Sequence, residues 1–411
     1  MKKIFYWLGA IVGLIGLLVL GLLAAAWSYS LETVETPYQV AYVEEMESYF
    51  QALTESKNPP GINIVVTKDG EVVYNEGFGV ADGINNKPIT SDSIYGWFSI
   101  TKVPTAIAIL QLHEQGALDI DEPVSDYLDY FDVTYPSADR PEITVRQLLN
   151  HSSGLPNNLP DVAFWIHGED VPPYDQTEFV KEKFDKFSTL IFEPGDHAEY
   201  TNWGYSILGS IVEEVSGEPY EDYVRKHILA PLKMDSTDFI YRDDMLADAA
   251  VASHEMGNEL TLFVPFVFPG IVRDWDFENH LIWFNKFYAH SSPPTGLIGP
   301  ADEMSHIMLA LMNDGKFDGA QLLKPETVDL MLFQSHSIAE GPDAEPGEFR
   351  GIGWHVNQTD GRRYWGHSGG GAGFATTARF YNDEQLGIVI FANGTNIDRE
   401  GIAAMISRLD W

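Results

Sequence analysis

Phe98-Ser99-Ile100-Thr101-Lys102 stands where an aromatic-rich segment gives way to a helical pattern, and it contains the sole Ser-x-x-Lys of the chain. Three residues apart at a helix start, the serine and the lysine would share one face and lie within hydrogen-bonding reach. Serine is a poor nucleophile unless a base takes its proton. Burial and the positive end of a helix dipole both lower a lysine pKa toward that of a usable base. The segment therefore predicts a nucleophile and its base.

Two further motifs occur once each, in an order that could serve the same site. Tyr200-Thr201-Asn202 precedes a helical pattern that starts near 205, and His367-Ser368-Gly369 follows a short strand-like run at 363–365. All three motifs are expected roughly once by chance at this composition, so their spacing and context must decide. The alternatives are an N-capping serine with a solvated lysine, a packed tyrosine beside an N-cap, and a plain glycine loop or bulge at 369–371.

The surrounding blocks resemble the serine β-lactamase and penicillin-binding-protein superfamily, in its branch of class C β-lactamases, DD-peptidases and esterases. The likeness covers about 46–409 and includes the three motifs in the family's order. The blocks that carry it are HEQGALDIDEPVSDYL at 113–128, ITVRQLLNHSSGLP at 143–156, FEPGDHAEYTNWGYSILGSIVEEVSGEPYEDYV at 192–224 and GHSGGGAGF at 366–374.

The resemblance implies catalytic roles for the first two motifs. Ser99 would attack a carbonyl carbon, and Lys102 and Tyr200 would share the proton transfers. Asn202 would donate a hydrogen bond to the carbonyl of the substrate. No cofactor is implied. No metal is expected either, because the histidines are scattered without ligand spacing.

The third motif would bind the substrate. His367, Ser368 and Gly369 would contact it, and the backbone N–H groups of Ser99 and Gly370 would form an oxyanion hole. His367 stands where most β-lactamases have lysine, and an unperturbed histidine is mostly neutral at pH 7. We therefore expect weaker anchoring of a substrate carboxylate. Peptidoglycan-type substrates stay open, because some peptidases of this branch have histidine there.

The pattern of apolar residues predicts an α/β (α+β) chain, and the resemblance implies a β-lactamase/transpeptidase-like fold. An antiparallel sheet built from both termini would be flanked by helices, with a helical subdomain at about 105–340. Strands are predicted at 62–66, 72–74, 353–357, 363–365, 374–381 and 386–392, and helices at 40–53, 101–112, 205–215, 220–229, 301–311 and 399–409.

Charge and composition exclude several classes of function. The chain has 61 acidic and 25 basic side chains, a net charge of −36 that would repel a nucleic acid. It has no cysteine, which rules out disulfides, thiol catalysis and cysteine-ligated metals. The acids are spread along the chain, as on a solvated surface.

The N-terminus carries an apolar run, residues 4–26, without a charged side chain. At about 1.5 Å per helical residue this run reaches roughly 35 Å, enough to span a bilayer. Lys2 and Lys3 favour a cytoplasmic N-terminus and a domain outside the cytoplasm. We therefore expect a membrane anchor at 1–27, a linker at 28–38 and a hydrolase domain at 39–411. The alternative is a cleaved signal peptide, since 24–26 is Ala-Ala-Ala.

The sequence thus predicts an exported, membrane-anchored serine hydrolase that works through an acyl-enzyme. Its substrates would be small esters or peptidoglycan-like D-Ala-D-Ala peptides. The alternatives are a β-lactamase and a penicillin-binding envelope receptor without turnover. Nine aromatic residues between 262 and 288 predict either core packing of the helical subdomain, an apolar acyl pocket, or a surface that leans on the membrane.

Overall fold

The computed structural model describes residues 34–137, 142–157, 166–168, 175–257, 270–334, 338–339 and 349–411. The predicted anchor and the first part of the predicted linker lie outside these ranges. Within them, no helix combines the length and the apolar character needed to cross a bilayer.

Eighteen strands run through the described residues. They are β1 (Gly61–Lys68), β2 (Glu71–Asp82), β3 (Lys87–Pro88), β4 (Ile94–Gly96), β5 (Ile166–His167), β6 (Ser253–Glu255), β7 (Val272–Asp276), β8 (Leu281–Phe284), β9 (Tyr288–Ala289), β10 (Ile298–Pro300), β11 (Lys316–Phe317), β12 (Ala320–Gln321), β13 (Ile338–Ala339), β14 (Phe349–Arg350), β15 (His355–Thr359), β16 (Arg362–Gly371), β17 (Phe374–Tyr381) and β18 (Leu386–Ala392).

Ten α-helices accompany them in the described part of the chain. They are α1 (Val43–Glu55), α2 (Lys102–Glu114), α3 (Val145–Leu149), α4 (Gln176–Phe187), α5 (Asn202–Ser216), α6 (Tyr220–Val224), α7 (Ser292–Thr295), α8 (Ala301–Met312), α9 (Pro325–Asp329) and α10 (Arg399–Ile406). Short 3-10 turns cover Phe98–Thr101, Val124–Asp126 and Asn382–Glu384, and π-helical turns cover Arg225–Leu229 and Leu330–Gln334.

The main sheet is antiparallel and is built from both ends of the chain, as predicted. Its nine described strands lie in the order β13-β14-β15-β16-β17-β18-β1-β2-β3. The two ends meet where β1 pairs with β18, with Val65 opposite Val389. Ile62, Ile64 and Val66 pack in one core with α1 and α10, whereas Val65 belongs to the core that contains α8. Because side chains alternate along a strand, helices cover the sheet on both faces.

The helices that hold the site have clear causes in the sequence. Residues 102–112 of α2 are all buried, so this helix lies inside the larger core. The α5 helix begins at Asn202 rather than near 205, because the Thr201 side chain accepts a hydrogen bond from Trp203 N and caps it. It ends at Gly217, whose φ of 73° is left-handed and suits glycine.

The predicted elements are present, with several shifted bounds. The strand predicted at 72–74 continues to Asp82, because the backbone at Gly77 and Gly79 keeps pairing with β1 although it lacks apolar side chains. The prediction of a mostly helical middle is wrong for one part. There β6, β8 and β7 form a three-stranded sheet. Its aromatic and branched residues suit strands, and pairing with β6 satisfies the backbone.

Candidate active site

The predicted nucleophile and base meet at the start of α2. The turn Phe98–Thr101 leads directly into the helix, whose first residue is Lys102. The Lys102 side chain is fully buried, and its Nζ lies 3.2 Å from Ser99 Oγ. Nζ also donates to Asn202 Oδ1 at 2.7 Å and to the Pro294 carbonyl at 2.9 Å. Two fixed acceptors therefore hold the amine beside the serine hydroxyl.

The environment of Lys102 favours its neutral form. Burial lowers the pKa of Lys102 well below its usual range, and the nearby Arg350 guanidinium lowers it further. Because a neutral amine has a lone pair, Lys102 can accept the Ser99 proton. The two residues that the sequence singled out thus have the geometry and the protonation of a nucleophile and a base.

Tyr200 lies next to this pair and holds its proton firmly. Its ring centroid is 4.8 Å from Lys102 Nζ, and its hydroxyl is buried. Burial raises the pKa of Tyr200, although the Ser99 hydroxyl and the Arg350 guanidinium oppose this. The phenol is therefore protonated at neutral pH and can donate to an atom beside Ser99.

The glycines of β16 let this strand lie against the nucleophile. A Cβ on Gly369 would come 2.2 Å from the Trp97 carbonyl and 3.1 Å from Ser99 N. Only glycine fits that approach. Gly370 and Ser99 line the same cavity. Their predicted oxyanion-hole role stays a prediction.

The Ser368 side chain makes its hydrogen bonds outside the cavity at Ser99. Its Oγ is 2.8 Å from Thr377 Oγ1 and 3.5 Å from Glu400 Oε1, and it is not among the residues that line the cavity at Ser99. Its predicted contact with substrate also stays a prediction.

His367 is a buried, neutral histidine at the site. It is 3% exposed, and its Nδ1 donates to the Ser368 carbonyl at 2.9 Å. Burial lowers the pKa of His367 well below its usual range, and Lys102 adds to this effect. Its ring centroid lies 6.1 Å from that of Tyr200. The imidazole therefore supplies no cation, as the sequence indicated.

Arg350 supplies a cation that no sequence motif indicated. Its Cζ lies 5.5 Å from the Tyr200 ring centroid, and its Nη1 hydrogen-bonds His355 Nε2. Burial lowers the pKa of Arg350 to about 10, so the group stays charged at neutral pH. Arg350 lies on β14, which pairs with β13 on one side and with β15 on the other. A cation thus lies beside Tyr200 although His367 supplies none.

His151 is a further residue that motif reasoning missed, although it lies in the quoted block 143–156. Its Nδ1 accepts from Thr201 N at 3.2 Å, and its carbonyl accepts from Glu199 N at 2.9 Å. Its ring centroid is 4.5 Å from that of Tyr200. Through these two hydrogen bonds, His151 holds in place the segment that contains Tyr200 and Asn202.

A cavity of about 540 Å³ opens beside Ser99, and most of its walls are apolar. Three of the nine aromatics between 262 and 288 line it, namely Phe284, Phe287 and Tyr288. Trp283 does not; it is 1% exposed and packs against Gly83. Phe277 is 59% exposed and stacks on Trp275, while Phe263, Phe266 and Phe268 lie outside the described residues.

Among the described residues, no three histidine, aspartate or glutamate side chains are grouped so that they could hold a metal ion.

Several known proteins resemble this chain over most or part of its length. The family described as Beta-lactamase matches residues 46–408. Protein flp of Staphylococcus aureus (strain MW2) is 26% identical over 368 residues, which are 85% of this chain and 62% of that protein. The chain thus spans less than two thirds of this relative's length. The putative penicillin-binding protein PbpX of Bacillus subtilis (strain 168) is 35% identical over 178 residues, 43% of this chain and 40% of its own.

A solved structure shares the fold over most of the chain. The octameric penicillin-binding protein homologue from Pyrococcus abyssi superposes with a TM-score of 0.71 at 26% identity, over 89% of this chain and 76% of that chain. The family match covers well over half of the residues and includes the three motifs that meet at the site. The chain therefore belongs to the Beta-lactamase family of serine hydrolase-like proteins, which includes the penicillin-binding-protein homologues.

Proposed function

We propose that this protein is a serine hydrolase that cleaves ester or amide bonds through an acyl-enzyme on Ser99. One observation carries the proposal: Ser99 Oγ lies 3.2 Å from the Nζ of a fully buried Lys102. Burying a charged lysine destabilises the folded protein unless a counter-charge is present, and without one the lysine becomes neutral. Here its pKa is lowered, its neighbours are neutral acceptors and a hydroxyl is within reach.

Acylation follows from these positions. As Ser99 Oγ bonds to the carbonyl carbon, its proton passes to Lys102 Nζ, and the carbonyl oxygen becomes an oxyanion that accepts from the N–H groups of Ser99 and Gly370. The Tyr200 hydroxyl then gives a proton to the departing oxygen or nitrogen and regains one from Lys102. The leaving group departs as a neutral alcohol or amine, and the acyl group stays on Ser99.

Deacylation uses the same groups in reverse. A water molecule gives its proton to the base and attacks the acyl carbon, and Ser99 Oγ leaves and takes a proton back. The products are a carboxylic acid and the free enzyme.

Two substrate classes are supported, small esters and D-Ala-D-Ala-type peptides. The Arg350 guanidinium favours the second, because a carboxypeptidase substrate carries a carboxylate on its leaving residue and Arg350 lies beside Tyr200. A β-lactam has a comparable carboxylate, so β-lactam hydrolysis and penicillin binding without turnover are the alternatives.

A substrate panel tests the proposal. Nitrophenyl esters, D-Ala-D-Ala peptides and nitrocefin are given to the wild type and to Ser99→Ala. We expect turnover of an ester or a peptide by the wild type and a loss of at least about a thousandfold in Ser99→Ala. Mass spectrometry should find a fluorophosphonate adduct on Ser99 alone. A wild type that is acylated but never releases product would support the receptor alternative, and no adduct on Ser99 would refute the proposal.

We also propose that residues 4–26 anchor the domain outside the cytoplasm. The support is the uncharged apolar run that follows Lys2 and Lys3. The full chain should stay in membranes after alkaline carbonate washing and be digested by protease added to cells whose outer layers have been removed. Mature protein that begins after Ala26 would establish signal cleavage instead.

A further inference from the structure

The groups around Ser99 divide into two sides. Lys102, Tyr200 and His367 are not among the residues that line the apolar cavity, whereas Ser99, Gly370 and Asn202 are. Asn202 lies at the boundary, because its Oδ1 accepts from Lys102 Nζ. In the proposed reaction the departing atom must receive its proton from the Tyr200–Lys102 pair. The leaving group therefore lies on that side, and the acyl half of the substrate points into the cavity.

The cavity is suited to an apolar occupant. Among its described lining residues there is no lysine or arginine, and Glu255 is the one carboxylate. Its volume of about 540 Å³ falls within the range of roughly 300–1,000 Å³ that holds drug-sized molecules. An acetyl group would leave most of that space unfilled.

Phe98 forms the wall next to the nucleophile, in a backbone conformation that aromatic residues rarely adopt. Its φ is 50°. Its ring faces Gly371, where a Cβ would come 2.5 Å from the ring, and its centroid lies 6.1 Å from that of Phe287 and 6.5 Å from that of Phe374. Such strain is maintained by the surrounding packing and is concentrated at functional sites. Because Phe98 precedes Ser99, its ring is fixed relative to the reacting atom.

We propose that the cavity selects substrates by their acyl half, which is an aromatic or medium-length aliphatic acyl group, and that Phe98 and Phe287 set its size. This rests on the proposed acyl-enzyme reaction. Each methylene of the acyl chain that becomes buried against the apolar wall should raise kcat/KM by a factor of about four. The wild type should therefore prefer octanoyl and phenylacetyl esters to acetyl esters by at least about tenfold.

Two matched ester series test the assignment. In one, the acyl chain lengthens from acetate to octanoate on a constant nitrophenol; in the other, acetate is constant and the alcohol lengthens. Ala289, which lines the cavity, is replaced in Ala289→Phe to fill it, and Phe287→Ala enlarges it. The ratio of kcat/KM for octanoate to kcat/KM for acetate should fall about tenfold in Ala289→Phe. In Phe287→Ala the preferred acyl chain should be longer than in the wild type. Phe277→Ala, an exposed aromatic of the same segment, should keep the wild-type ratio.

A binding measurement separates this inference from the proposed reaction. Octanamide and acetamide are titrated into Ser99→Ala, alone and combined with Ala289→Phe. We expect octanamide to bind more tightly, and Ala289→Phe to remove that advantage. If this holds while neither an ester nor a D-Ala-D-Ala peptide is hydrolysed and no adduct forms on Ser99, the cavity assignment stands and the proposed function fails. If esters are cleaved but the acyl preference is the same in all variants, or follows the alcohol series, the assignment is overturned.

Discussion

The two sides of Ser99 differ in which property of the reaction they determine. On one side five basic side chains lie close together, namely Lys102, His151, Arg350, His355 and His367, of which Arg350 and His355 are partly exposed. Burial lowers the pKa of each one, and the positive charges around them lower the pKa of Lys102 and the histidines further. On the other side aromatic rings enclose an apolar cavity. The first side governs protonation and the second governs shape, so mutations on the two sides should change different measurements.

The largest effect should come from removing the base. Lys102→Met keeps the apolar stem and removes the amine, and we expect kcat to fall about a hundredfold to ten-thousandfold, the usual share of general base catalysis. The octanoate-to-acetate ratio of the residual activity should stay unchanged, because the cavity is intact. Exposed Lys316 provides the control Lys316→Met. Residual kcat above a tenth of wild type would mean that another group takes the Ser99 proton.

The buried histidines predict a loss of stability in mild acid. His151 and His367 are each 3% exposed, and burial lowers the pKa of each well below the ordinary 6.5. Below about pH 6.5 the unfolded chain therefore binds protons that the folded chain does not, and the free energy of unfolding falls as the pH falls. Burial lowers the pKa of His355 in the same way, and each such histidine adds up to about 1.4 kcal/mol per pH unit to this slope.

Urea unfolding at pH 7.5 and 5.5 measures this slope. His367→Asn should reduce it by up to about 1.4 kcal/mol per pH unit, the contribution of one histidine. His197→Asn, at a partly exposed position, is the control and should leave the slope unchanged. Equal slopes in all three proteins would contradict the neutral, buried state of His367.

Replacing Arg350 should have a smaller effect on activity, and this effect should depend on the leaving group rather than on the acyl group. With Arg350→Met we expect kcat/KM to fall about tenfold for substrates whose leaving group carries a carboxylate, as for a lost charged hydrogen bond. Neutral esters should change much less. Because Arg350 lowers the pKa of Lys102, its removal should also move the acid-side loss of activity to higher pH. Exposed Arg363 supplies the control Arg363→Met. An equal loss on both substrate types would refute carboxylate anchoring.

The sequence predicted those parts of the molecule that depend on local pattern. Alternating and continuous apolar runs predict β17 and β18, and the Ser99–Lys102 spacing predicts a contact that the helix start then makes. Arg350 could not be predicted, because it lies in no motif and the fold, rather than its neighbours in sequence, places it beside Tyr200, 150 residues earlier in the chain. The unusual φ of Phe98 was equally hidden, since it depends on a glycine 273 residues later that leaves room for the ring.

The pairing of β1 with β18 also determines when the centre of the sheet can form during synthesis of the chain. Ile62 lies opposite Ala392, so 330 residues separate two neighbours in the centre of the sheet. At about 5–20 residues per second, a ribosome needs tens of seconds to make the second strand after the first. During that interval β1 has one unpaired edge and an apolar surface, which is the kind of segment that chaperones bind. Loss of a few dozen C-terminal residues would therefore leave the nascent chain without a strand of its core, far from the catalytic serine.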